Sequence, residues 1–156
     1  MSSTRTNPPR TDPGFAERLE ALAIGLPEDG HKLGEMAEEV REARKWSRDA
    51  LSTALMATYR DTASKEAFSL LYELNQEDFL RLIYHHLRRS FYSVDPSDVL
   101  QEVFFNVYRY PFKFNPDRKT AFRNWTHSII RNTVLKHSRR AQRDHFLSLG
   151  GGDADS

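Results

Sequence analysis

Apolar residues recur along most of this chain at the three- and four-residue spacing of helices, and no stretch shows the alternation of a half-buried strand. The spacing predicts a short helix over 15–24, a charged helical stretch of one helix or two over about 33–60, and longer helices over about 64–89, 96–110 and 121–143. Asp95 and Pro96 mark one helix start, and Pro111 marks a helix end. The pattern predicts an all-α fold in which helix packs on helix.

Composition divides the chain into four segments. Residues 1–30 begin with a stretch rich in Ser, Thr, Pro and Arg and are expected to be flexible. A helical extension over 31–61 and a compact helical bundle over 62–145 are expected to follow. Residues 146–156 contain three consecutive glycines and are expected to form a flexible linker or tail.

Several classes of protein are excluded by what the chain lacks. It has 156 residues, enough for one domain with appendages, and no cysteine, so disulfides and thiolate metal sites are ruled out. No apolar run approaches the roughly 20 residues of a membrane helix, and the N-terminus has no apolar core typical of a signal peptide. We therefore expect a cytoplasmic protein without a membrane span.

Residues with catalytic or metal-binding chemistry form no recognisable motif. The spacing of zinc ligands is absent among His85, His86, His127, His137 and His145. No nucleophile elbow, phosphate loop or pair of catalytic acids is present. The sequence therefore predicts a protein that is not an enzyme and needs no cofactor or metal.

The predicted helix over 96–110 has two distinct faces. One face is apolar and consists of Leu100, Val103, Phe104 and Val107. Burial is worth about 1.5–3 kcal/mol for each large apolar side chain, so this face determines how the helix packs. The opposite face carries Asp98, Gln101, Glu102, Phe105 and Arg109. An exposed aromatic ring among charges favours a protein-binding surface, and the alternative is a solvated face with one stray aromatic.

The net charge of +1 conceals a strongly basic segment. Between Arg118 and Arg143 there are eight basic residues and no acidic one, whereas the rest of the chain holds all 22 acidic residues. This pattern indicates a binding surface for a polyanion, although a charged face that binds nothing is an alternative. The loop before it carries Phe112 and Phe114 beside cations, which suits single-stranded nucleic acid, and core packing is the alternative for both rings.

These segments together resemble a known family. The motifs are Asp98-Val-Leu-Gln-Glu-Val-Phe104, Phe112-Lys-Phe-Asn-Pro-Asp117, Ala121-Phe-Arg-Asn-Trp125, Ile130-Arg-Asn132 and Arg139-Arg140. In this order and spacing they resemble region 2 of bacterial RNA polymerase sigma factors, most closely the extracytoplasmic-function (ECF) group. The resemblance covers about residues 62–143.

The resemblance implies a transcription initiation module that binds core RNA polymerase and that recognises and melts the promoter minus-ten element. The clamp coiled coil of the largest polymerase subunit would bind the face formed by Asp98, Gln101, Glu102, Phe105 and Arg109. The loop would capture a base flipped from the single-stranded minus-ten element, and the last helix would read that element. The implied DNA-binding residues are Phe114, Asn115, Arg118, Lys119, Thr120, Asn124, Ser128, Arg131, Asn132, Lys136, Arg139 and Arg140.

A second function from another class remains open at this point. A sigma mimic would be a regulatory domain that binds an anti-sigma partner without touching DNA, and an anti-sigma factor is also a candidate partner for the first function. A mimic needs neither the basic helix nor the aromatic loop, so their presence favours DNA binding. ECF sigma factors carry a further domain that reads the minus-thirty-five element, and the sequence leaves open whether the natural protein has one.

Overall fold

The computed structural model describes residues 11–26 and 30–155, with side chains described for all of these except 30, 31 and 151–155. Over this part of the chain the fold is all-helical and contains no strand, which confirms the predicted fold class. The chain forms two compact units. The first contains the described residues up to Asn75 together with Tyr110–Asn124, and the second contains Gln76–Arg109 and the residues from Trp125 onwards.

Among its described residues, the first unit contains three complete helices, the first half of a fourth, a short 3-10 helix (Pro111–Lys113) and the first turn of the last helix. The first four are α1 (Phe15–Ile24), α2 (Gly30–Arg41), α3 (Arg48–Thr62) and the first half of α4 (Lys65–Leu87). The charged stretch is thus two helices. Ala43 adopts a left-handed conformation (φ 54°) after α2, and the Ser47 hydroxyl caps α3 by accepting from the Ala50 N–H at 3.1 Å. The core of this unit consists of Phe15, Leu19, Leu33, Leu51, Leu55, Met56, Leu70, Leu71 and Phe122.

Helix α1 is folded within the segment expected to be flexible. Phe15 and Leu19 are buried because α1 packs against α2. The Arg18 guanidinium pairs with Glu73 at 2.7 Å and with Glu66 at 3.1 Å on α4. Residues 1–10 and 27–29 lie outside the described residues, and the boundaries of the four predicted segments remain a prediction.

Helix α4 continues without a break through the polar residue Asn75. Its amide is buried and donates to the Leu71 carbonyl at 3.0 Å and to the Ser52 hydroxyl at 2.9 Å. Both bonds satisfy a polar group that would otherwise be costly to bury, so the helix continues. Ser64 caps the start of α4 by accepting from the Ala67 N–H at 3.1 Å.

The second unit contains the rest of α4, α5 (Pro96–Arg109) and most of α6 (Ala121–Asp155). Asp95 caps α5 by accepting from the Ser97 N–H at 2.9 Å. The predicted apolar face of α5 is buried, with the Phe104 ring 5.3 Å from that of Phe79. The core of this unit consists of Phe79, Ile83, Val99, Val103, Phe104, Val107 and Ile130.

Helix α6 is longer than predicted. It continues to Asp155, whereas the sequence predicts an end near Arg143 and a flexible tail from residue 146. Each glycine costs about 1 kcal/mol in a helix but still supplies its N–H and C=O, and no proline follows Ala121. The backbone hydrogen bonds of the helix can therefore continue through the three consecutive glycines.

Candidate functional site

The polar face of α5 is exposed as the helical spacing predicts. Asp98, Gln101 and Arg109 are exposed, and the Phe105 ring is 53% exposed on the same face. The Arg109 guanidinium lies over that ring, 5.6 Å from its centroid. The face thus presents an aromatic ring between carboxylate, amide and guanidinium groups.

Glu102 belongs to this face but is only partly exposed. Its carboxylate accepts from the Lys136 ammonium at 2.6 Å and contacts the His137 ring nitrogen Nε2 at 2.9 Å. Partial burial acts to raise the pKa of Glu102, but the hydrogen bonds from Lys136 and His137 outweigh it and hold that pKa below its ordinary value. Glu102 therefore joins α5 to α6.

An open groove of about 680 Å³ runs along this face. The α5 residues Asp98, Gln101 and Phe105 line one side, and His137, Arg140 and Asp144 of α6 line the other. Arg140, which the resemblance assigns to DNA, thus lies in the same groove as the residues assigned to the polymerase.

The outward face of α6 in the second unit carries most of the predicted base-reading and phosphate-binding side chains. Ser128, Arg131, Asn132, Lys136 and Arg139 are exposed. The opposite face is buried and consists of Thr126, Ile130, Thr133 and Val134. The Arg131 guanidinium donates to the Ser128 hydroxyl at 3.3 Å. Leu135, also 48% exposed, adds an apolar surface to this polar face.

The loop in the first unit corrects one predicted site residue. Phe114 is 2% exposed and its ring packs against Phe122, with centroids 6.3 Å apart. A ring held in the core by an aromatic neighbour cannot stack on a base. Phe114 is therefore a core residue, which is the alternative that the sequence left open. Phe112 is 70% exposed and is the accessible aromatic of this loop.

The remaining predicted loop residues are accessible. Asn115, Arg118, Lys119 and Asn124 are exposed, and Thr120 is half-buried. The Asn124 amide donates to the Thr120 hydroxyl at 3.3 Å. The loop and the start of α6 therefore offer two amides and two cations to a ligand.

The family model of sigma-70 region 2 matches residues 71–144. This match supports a sigma-70 region 2 domain over these residues. It supports a sigma-factor role in transcription initiation, and thus a non-enzymatic domain whose partners are, in general terms, core RNA polymerase and promoter DNA. No curated protein and no solved structure matches the chain significantly.

Two side chains outside the matched residues contact the loop of the region 2 domain, and sequence reasoning missed both. The Arg60 guanidinium donates to the Phe114 carbonyl at 3.0 Å, and the Thr53 hydroxyl donates to the Lys119 carbonyl at 2.8 Å. Both residues lie on α3. Their contacts span more than fifty positions in the chain, and helical periodicity carries no signal for them.

Among residues 11–26 and 30–155, the structure contains no candidate membrane-spanning helix. The same residues contain no group of three or more His, Cys, Asp or Glu side chains arranged to hold a metal ion.

Proposed function

We propose that this region 2 domain belongs to the ECF group and acts in the cytoplasm by docking on core RNA polymerase and trapping the minus-ten element as a single strand. The α5 face would bind the clamp coiled coil of the largest polymerase subunit. The loop and the outward face of α6 would hold the strand. The polymerase itself performs the chemistry, so the domain contributes binding energy and order.

The observation that carries the polymerase contact is the half-exposed Phe105 ring on the groove. An aromatic ring of this exposure on a well-packed helix is the kind of residue that dominates binding energy at interfaces. Asp98, Gln101 and Arg109 around it supply the polar rim that such contacts have. The buried face of α5 holds the helix rigidly, so little conformational freedom is lost on binding.

The DNA contact is supported by the chemistry of the exposed residues in each unit. In the first unit, Phe112 is accessible for stacking and Asn115, Arg118 and Lys119 are exposed beside it. In the second unit, Asn132 can read a base edge, while Arg131 and Arg139 can hold phosphates. No acidic residue interrupts the segment from Arg118 to Arg143. A domain that only mimicked a sigma factor would need none of these groups.

Strand separation would follow from capture. Extruding a base from the duplex costs a few kcal/mol, and stacking a base on an aromatic ring returns about 1–3 kcal/mol. A loop that binds the extruded base therefore shifts the equilibrium towards the open strand without any catalytic group.

The polymerase contact is tested by titrating core RNA polymerase with the wild-type chain and with Phe105→Ala. Loss of a central aromatic contact is expected to weaken binding at least about ten-fold. Tyr84→Ala is the matched control, because Tyr84 is a 62% exposed aromatic in the same unit that does not line the groove. It is expected to bind as wild type does.

Two other results would change the proposal. Unchanged binding by Phe105→Ala would remove the α5 face from the interface. Failure of the folded wild type to bind core polymerase at all would favour the mimic, and an anti-sigma factor would become the partner to seek.

A further inference from the structure

We propose that α3 positions the DNA-capturing loop, and that Thr53 and Arg60 are the positioning residues. This inference rests on the proposed function of the loop, but it concerns residues that the resemblance does not include. Helix α3 spans Arg48–Thr62 and ends before the region 2 match begins at residue 71.

Thr53 holds the C-terminal end of the loop with both hydrogen-bonding roles of its hydroxyl. The hydroxyl donates to the Lys119 carbonyl at 2.8 Å and accepts from the Phe122 N–H at 3.1 Å. Phe122 is the second residue of α6, so its N–H lacks a partner within the helix. The Thr53 side chain of α3 therefore supplies a hydrogen-bond partner both to the loop and to the start of α6.

Arg60 holds the N-terminal end of the loop. Its guanidinium donates to the Phe114 carbonyl at 3.0 Å, and its Nε donates to Asp61 at 2.9 Å. The Asp61 carboxylate fixes the guanidinium, and the buried Phe114 ring fixes the carbonyl. Thr53 and Arg60, which we call the anchors, lie nearly two helical turns apart on α3. They hold the two ends of the segment 114–119.

The middle of the loop lacks comparable support. Asn115, Asp117 and Arg118 are exposed, and a cavity of about 220 Å³ separates α3 and α2 from Pro116. The loop is thus held at its ends while its central side chains face solvent. This arrangement presents the central residues to a ligand in one defined register.

A loop fixed before binding loses less conformational freedom when its ligand arrives. Without the anchors, the loop would have to be ordered by the DNA strand itself. Loss of the anchors should therefore make strand binding weaker and less selective. Binding through the sugar-phosphate backbone alone should change little in affinity.

The test uses the full chain bound to core RNA polymerase and a pool of single-stranded DNA oligonucleotides with a randomised segment. Selection on the wild type yields the preferred strand, and oligo(dT) serves as the non-specific probe. Thr53→Val and Arg60→Met are expected to bind the preferred strand about five-fold more weakly, the ratio that one hydrogen bond of typical strength is worth. Their affinity for oligo(dT) should stay within about two-fold.

Thr58→Val is the matched control. The Thr58 hydroxyl is also buried on α3, but it donates to Ala54 within its own helix at 2.9 Å. This variant is expected to retain the wild-type preference. Thr53→Ser keeps both hydrogen-bonding roles and should restore the preference that Thr53→Val loses. Thermal unfolding of each variant ensures that all are compared well below their melting temperatures.

Three results would overturn the inference. An unchanged selection profile in Thr53→Val and Arg60→Met would show that the anchors do not act on the loop. An equal loss for the preferred strand and for oligo(dT) would mean that the anchors only stabilise the fold. A wild type that binds polymerase but selects no sequence would refute DNA reading itself, and the positioning role with it.

Discussion

The Lys136 ammonium lies 2.6 Å from the Glu102 carboxylate, so one ion pair joins a residue assigned to promoter DNA to a residue assigned to the polymerase. His137 contacts the same carboxylate at 2.9 Å. A partner that displaces either side chain therefore changes the surroundings of the other. This relation is invisible in the sequence, where the two residues lie 34 positions apart.

The strength of this pair is expected to be modest. The Lys136 side chain is 54% exposed, and exposed pairs contribute about 0.2–1 kcal/mol. A double-mutant cycle with Glu102→Gln and Lys136→Met, measured by urea unfolding, should give a coupling energy in this range. The coupling should fall at high salt. A coupling that is insensitive to salt would contradict an exposed, solvent-screened pair.

The lowered pKa of Glu102 predicts how stability depends on pH. Because the carboxyl takes up its proton less readily in the folded chain than in the unfolded one, its contribution is complete above its ordinary value of 4.5. That contribution is lost as the pH falls from there through the lower, folded-state pKa. Urea unfolding of the wild type and of Glu102→Gln over this range should show the difference between them shrinking. A difference that grows towards low pH would contradict this sign.

Two adjacent phenylalanines on α5 should differ sharply in their effect on stability. Phe104 is 4% exposed and stacks on Phe79, so Phe104→Ala should cost about 3–5 kcal/mol. Phe105 faces the groove, and Phe105→Ala should stay within about 0.5 kcal/mol of the wild type. Chemical unfolding of both variants measures this. A large loss in Phe105→Ala would assign its ring to the core instead of the interface.

Two residues of the outward face of α6 should separate phosphate binding from base reading. Arg139→Ala should weaken all single strands about equally and reduce the slope of log affinity against log salt by about 0.7–1. Asn132→Ala should leave that slope unchanged and cost about 1–3 kcal/mol with the preferred strand alone. Both are measured by titrating labelled strands into the complex with core polymerase. The reverse pattern would exchange the two roles.

The sequence predicts helix faces well where one helix buries one stripe. Periodicity separates Phe104 from Phe105 on α5 because adjacent residues point about 100° apart and only one stripe can be buried. On α6 the helical spacing likewise separates the buried Ile130 and Val134 from the exposed Asn132.

Loops and distant contacts were less predictable. Phe112 and Phe114 have the same residue type in the same irregular segment, and only the packing of Phe114 on Phe122 distinguishes them. The anchors Thr53 and Arg60 depend on tertiary contacts that no local pattern reports. Helix α6 exceeds its predicted length because glycine propensity indicates a cost but not a stop.

The ion pair between Glu102 and Lys136 has a consequence for cooperativity. If polymerase draws Glu102 away from Lys136, the freed ammonium becomes available to a promoter phosphate. Binding free energies are reciprocal, so the promoter strand must then tighten polymerase binding by the same factor. The pair itself limits that factor, because a coupling of at most about 1 kcal/mol corresponds to about five-fold. Through this pair, assembly of polymerase and promoter on the domain would be mutually reinforcing but only weakly so.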